Sequence, residues 1–151
     1  MQDKLPHARP RTALESGLLD EVVATLGPRP GITIGEDASL SEAIRTMQHK
    51  LIGCLLITNE QGHLTGILSE RDVLDKCVGQ ELDLGAIQVR EHMTSYPETV
   101  RSNQPIAFAL QRMVVTGFRH LPVVDADGTL LGVISARDII KRVASQLPGT
   151  L

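Results

Sequence analysis

The sequence predicts an α+β fold built from two β-α-β-β-α repeats packed about a pseudo-twofold axis, with one helix in front of them. Three observations predict it. The heptapeptide GILSERD, Gly66 to Asp72, returns as GVISARD, Gly132 to Asp138. At that offset, 132 − 66 = 66 residues, Thr33 to Asp75 lies over Thr99 to Lys141 without a gap. The identities include Ala43/Ala109, Met47/Met113, Leu55/Leu121, Gly62/Gly128, Leu64/Leu130, Gly66/Gly132, Ser69/Ser135, Arg71/Arg137 and Asp72/Asp138. Self-similarity at a fixed period marks a duplicated structural unit. In each copy, finally, a 3.6-residue apolar stripe gives way to two short strand-like runs and then to a second helical stretch.

Residues 1–26 precede the repeats. Residues 1–13 hold Pro6, Pro10 and little to bury, which predicts a mobile tail. Leu14 to Leu26 places Leu18, Leu19, Val22, Val23 and Leu26 on one face, an amphipathic helix that ends at Gly27-Pro28 and covers either the core or a partner subunit.

The first repeat, residues 27–79, opens with an extended piece at Ile32 to Ile34. A helix follows, with Ser39 as N-cap, Glu42 completing a capping box, and Leu40, Ala43, Ile44 and Met47 as its buried stripe. Strands are expected at Cys54 to Thr58 and His63 to Leu68. The turn NEQG between them delivers Gly62 where a positive φ costs least. A last helix after Ser69 carries Val73, Leu74 and Cys77. A connector, residues 80–94, contains a short helical piece near VREHM.

The second repeat, residues 95–146, runs in parallel. It has an extended piece at Thr99 to Arg101, a helix with Pro105 in its first turn and Ile106, Ala109, Leu110 and Met113 on its stripe. Strands follow at His120 to Val124 and Thr129 to Ile134 around DADG, then a helix after Ser135 with Ile139, Ile140 and Val143. Residues 147–151 form a tail.

Charge and composition narrow the function classes. Fifteen Lys and Arg against eighteen Asp and Glu leave a net charge of −3, the wrong sign for affinity driven by counterion release from nucleic acid. Aromatic residues are 2% of the chain, so a stacking platform for single strands is missing too. No apolar run approaches the ~20 residues of a membrane span. The N-terminus has no apolar stretch after its basic residues, which argues against a secretory signal and for the cytoplasm. Cys54 and Cys77 form no CxxC and the five histidines are scattered, so neither a zinc site nor a disulfide framework is indicated. No constellation fixes a nucleophile with a base, so an enzyme is the less favoured class and no metal or obligatory cofactor is expected.

The repeated phrase has a chemistry of its own. Ser69 and Ser135 fall where a strand ends and a helix begins, where unpaired N–H groups and the helix dipole attract an anion. Their hydroxyls and the Arg71 and Arg137 guanidiniums can add to a phosphate seat. Asp72 and Asp138, one turn on, can accept hydrogen bonds from both hydroxyls of a ribose. S-x-x-D also reads as an acidic capping box that satisfies the helix start and nothing else. Both readings stand on the sequence alone.

ITI, CLLITNEQGHLTGILSERD, HMTSYPETV and GFRHLPVVDADGTLLGVISARDI together resemble a pair of CBS domains, the tandem arrangement called a Bateman module, over roughly residues 27–145. With no enzyme or transporter domain attached, the chain is similar to the small stand-alone bacterial proteins of this kind. The resemblance implies two sheets packed face to face, a homodimer, and clefts that bind AMP, ADP, ATP or a related adenosyl or dinucleotide ligand to regulate an effector protein. It nominates Arg119 and His120 for the phosphates, because basic residues before the L-P pair reach them in similar proteins; the first copy has Gly53 and Cys54 there. It places adenine near Leu121, Pro122 and Val133, with Thr33 and Thr99 as further nucleoside contacts. Pro122 cannot donate to a sheet ladder and is expected at an edge. Two unequal clefts follow, the one using Asp138 better equipped. A constitutive interaction scaffold with vacant clefts is the alternative function, and a catalytic or metal-dependent role for His120 a weaker third.

Overall fold

The computed structural model describes residues 9–147 and 149. The first repeat comprises β1 (Thr33–Gly35), α2 (Leu40–Lys50), β2 (Cys54–Thr58), β3 (Leu64–Ser69) and α3 (Glu70–Cys77). The second comprises β5 (Val100–Arg101), α4 (Ile106–Thr116), β6 (His120–Val124), β7 (Leu130–Ser135) and α5 (Ala136–Ser145). α1 (Ala13–Asp20) precedes both, and β4 (Thr94–Ser95) lies between them. Both copies keep one topology: the first strand pairs parallel to the second, and the second antiparallel to the third. Even the break in regular register recurs, at Ile57/Thr58 and at Val123/Val124.

The edges show how the halves are joined. β4 leads into the second repeat yet pairs with β3 of the first, Gly66 opposite Ser95 and Ile67 opposite Thr94. Its counterpart is Arg29, which leads into the first repeat and bridges Val133 of β7, with N–H···O bonds of 3.2 and 2.9 Å. Each half thus closes its third strand with chain belonging to the other. This crossing explains the glycine that opens each phrase: a Cβ on Gly132 would collide with the Arg29 carbonyl, and one on Gly66 with the Met93 side chain.

Each repeat has its own core. Leu40, Ala43, Met47, Leu55, Ile57 and Leu68 fill the first, and Ile106, Ala109, Met113, Leu121, Val123 and Ile134 the second. The helix residues among them come from the expected stripes, of which Ile44 and Leu110 are only partly buried. The other face of the sheets buries Cys54, Leu56 and Ile67 against Leu130 and Val133 of the second repeat, so the sheets pack face to face. Burial drives the Cys54 thiol up to about 12. The turns form as expected: Gly62 and Gly128 have φ of 80° and 82°, and the Asn59 and Asp125 side chains accept two main-chain N–H bonds each.

Several expectations need correction. The helix expected over Leu14 to Leu26 stops at Asp20; Val22 bridges Pro105, and Val23 to Leu26 form a 3₁₀ turn. The chain leaves the helix because Glu21 C=O and Val23 N–H are taken by Ile106 and Gln104 at the start of α4. Of the tail expected over residues 1–13, residues 1–8 lie outside the described residues. Thr12 caps α1 in a full capping box with Glu15. Ser39 accepts from the Glu42 N–H at 3.1 Å, but the return half of that box does not form. Pro105 is the N-cap of α4 rather than part of its first turn.

Pro122 sits on the central strand of its sheet, not at an edge. Where Leu56 donates to Ile32 O at 2.9 Å, Pro122 has no N–H for the matching Glu98 carbonyl. β5 therefore begins one residue later in its repeat than β1, at Val100 rather than Thr99. The sheet tolerates the proline by giving up one rung beside it.

Candidate functional site

Both serines cap their helices, and both aspartates close the box. Asp72 Oδ2 accepts from the Ser69 N–H and hydroxyl, each at 2.8 Å, and the Ser69 oxygen accepts from the Asp72 N–H at 3.2 Å. Ser135 and Asp138 repeat this at 2.7, 3.0 and 3.3 Å. The first N–H of each helix is also taken, Glu70 by Gly53 O at 3.0 Å and Ala136 by Arg119 O at 2.8 Å. The helix starts are thus largely satisfied from within, and the phrase first builds a junction between strand and helix. What remains for a ligand is the second carboxylate oxygen. Lys76 holds Asp72 Oδ1 at 3.0 Å, and Arg29 approaches Asp138 Oδ1 at 3.6 Å.

A cavity of about 720 Å³ opens at the start of α3, within the size range of sites for small ligands. Ser69, Glu70, Arg71 and Asp72 form one wall. Facing them is the α4–β6 junction of the other repeat, Thr116 to His120, with Thr94 of β4, Ile67 of β3 and Gly53 completing the lining. The crossing of the halves brings these together. Arg119 and His120 therefore line the cavity with Asp72, whereas their place in the sequence grouped them with Asp138. Asp138, Ser135 and Arg137 lie at the start of α5, where Arg29 approaches.

His120 is half-buried beside Gly53, where a Cβ would make ordinary contact with the ring. A Cβ there would stand 3.4 Å from His120 Cε1 and 3.8 Å from the Glu70 carboxyl carbon. Burial is the main cause that holds the imidazole below its usual pKa of 6.5, and Arg29 and Arg119 add to it; Glu70 and Asp138 oppose it. His120 thus feels charges from both helix starts. Gly53 stands where the second repeat has Arg119.

The nucleoside candidates are scattered. Leu121 is fully buried in the second core, pointing away from the cavity because strand residues alternate. Pro122 is buried in mid-sheet, Val133 is tied to Arg29, Thr33 is exposed at the start of β1, and Thr99 is exposed just before β5. None of the five lines the cavity. Sequence reasoning missed Glu70, Thr94, Thr116 and Phe118. Glu70 alone left a signal, since the second copy has Ala136 in its place.

Among the described residues, no group of three or more His, Cys, Asp or Glu is arranged to hold a metal, and no helix is long and apolar enough to cross a membrane.

Two duplicated sheet-and-helix units, with a cavity at the strand-to-helix junction of the first, define a tandem module. The family model described as CBS domain matches residues 23–79 and again 89–145. The chain belongs to the CBS-domain family and contains two CBS domains; such pairs are regulatory modules, generally not catalytic. It is 31% identical to a putative signal-transduction protein with CBS domains from Burkholderia ambifaria, with a TM-score of 0.77 over 87% of this chain and 99% of that one. It is 28% identical to a CBS domain protein from Pyrobaculum aerophilum solved in complex with AMP, with a TM-score of 0.73 over 83% of this chain and 99% of that one. An uncharacterized 17.7 kDa protein of Acidianus ambivalens is 30% identical over 75% of this chain. The chain spans 63% of that protein's length and 17% of the next two curated relatives it matches.

Proposed function

We propose that the chain is a cytoplasmic, non-catalytic sensor that binds an adenosine nucleotide in the cleft between its repeats. The observation that carries this reading is the 720 Å³ cavity, where a ribose acceptor on one repeat faces basic groups on the other. Asp72 Oδ1 takes the ribose hydroxyls while keeping its contact with Lys76. Arg119 and His120, with Ser69 and Arg71, take the phosphate; Phe118 and Ile67 offer apolar surface to adenine. Asp138, Ser135 and Arg137 offer the same kind of seat at α5, where Arg29 must move. The Pyrobaculum relative's complex with AMP supports the ligand class.

A ligand held by both repeats regulates by favouring one relative arrangement of them, which requires different affinity for the alternatives. A homodimer is part of the reading. Leu74, Val78, Val114, Val115 and Ile140 are large apolar residues exposed on or just beyond helices of both repeats, and a second subunit would cover them.

Thermal melts with AMP, ADP, ATP, NAD and S-adenosylmethionine test the proposal. A ligand at a hundred times its Kd stabilises by ~2.7 kcal/mol, about 5–10 °C for a chain of this size. Arg119→Ala should remove most of the shift while leaving the unliganded melt unchanged. If no nucleotide moves the melt, the vacant-cleft scaffold is the better account.

A further inference from the structure

The charges around the cavity are unevenly matched. Lys76 is engaged by Asp72 at 3.0 Å and by the His92 carbonyl at 2.8 Å, and Arg71 stands 3.6 Å from Asp75. Arg119 forms no ion pair among the described residues, so it is the one lining guanidinium without a carboxylate partner. Against it stands Glu70, the first residue of α3, whose carboxyl group lies on the same side of Gly53 as the His120 ring. The helix start cannot compensate, because the Glu70 and Asp72 N–H groups already bond Gly53 O and Ser69 Oγ. The second repeat carries Ala136 where the first has Glu70, so the carboxylate is not a requirement of the fold.

We infer that this cleft accepts an adenosine moiety carrying no more than one phosphate, and that Glu70 is the residue that excludes longer phosphate chains. The inference rests on the nucleotide reading above. Arg119, with the Arg71 guanidinium that Asp75 shares, can hold a single phosphate. A second or third phosphate brings further negative charge toward the exposed Glu70 carboxylate, with no further unpaired lining cation and few N–H groups to receive it.

Calorimetric titrations of adenosine, AMP, ADP and ATP, without divalent metal, into the unaltered protein and Glu70→Gln test this. The amide keeps the size of the side chain and removes only its charge. AMP should bind the unaltered protein at least about tenfold more tightly than ATP, and Glu70→Gln should bring ATP to within about threefold of AMP. The thermal melt of the variant checks that it is folded. ATP binding the unaltered protein as tightly as AMP overturns the inference, as does an AMP-to-ATP ratio unchanged in Glu70→Gln. Absence of binding by all four ligands to both proteins is instead the failure of the nucleotide reading itself.

Discussion

Gly132→Ala probes the crossing of the halves, on which the cleft depends. Neither Gly132 nor Gly66 has a positive φ, so alanine is acceptable to the backbone at both, and the outcome is decided by space. At Gly132 the new methyl meets the Arg29 carbonyl, held in place by the paired bonds to Val133. Main chain so pinned cannot yield without losing those bonds. Overpacking of this kind costs ~1–3 kcal/mol, and the loss of one or two hydrogen bonds adds ~1 kcal/mol. The lower chain entropy of the unfolded alanine variant returns ~0.4–1 kcal/mol. A net loss of ~2 kcal/mol follows, or about 4–8 °C in Tm. At Gly66 the methyl meets only Met93, a flexible side chain that can rotate away, so Gly66→Ala should cost less than ~1 kcal/mol. Urea denaturation and calorimetry of both variants give the comparison. Equal losses, or a Gly132→Ala protein more stable than the parent, would refute the argument from close approach.

Other outcomes follow from particular side chains. Leu51 caps α2 with φ 53° and is 91% exposed, where Gly117 does the same for α4; Leu51→Gly should stabilise by ~0.5–1 kcal/mol in urea denaturation. Burial raises the pKa of both thiols, Cys54 to about 12, so a thiol reagent at neutral pH should label neither until the chain is unfolded in urea. His120 titrates below 6.5 when folded, so the unfolded chain takes the proton first. Stability should therefore fall as pH drops below 6.5 toward the folded value, and His120→Gln should lessen that slope in melts at graded pH. Arg29→Ala removes the larger of the two positive charges that lower the His120 pKa, and an NMR titration of the imidazole should move upward.

The repeat made most of this fold legible. Because each copy constrains the other, Cys54–Thr58 and His120–Val124 are strands over the same residues the pattern gave, and three of the four residues on each of the α2 and α4 stripes are buried. Local chemistry was equally readable at the Asn59 and Asp125 turns and at the two serine caps. What the sequence hid was spatial. An offset of 66 residues assigns Arg119 and His120 to the phrase in their own repeat, but the exchanged edges put them against Ser69 and Asp72. Glu21 and Val23 end α1 early because their partners lie some eighty residues on, beyond any local signal. Pro122 misled for a related reason: its missing rung falls against β5, which shortens to accommodate it. Glu70 was printed plainly, yet its meaning depends on standing beside His120.

The most direct measurement of the central claim is a crystal structure grown with AMP. The ligand should lie in the cavity at the start of α3, its ribose on Asp72 and its phosphate within hydrogen-bond reach of Arg119 or His120. A ligand seated only at Asp138, outside the cleft altogether, or absent from that cavity at a saturating concentration would contradict the account.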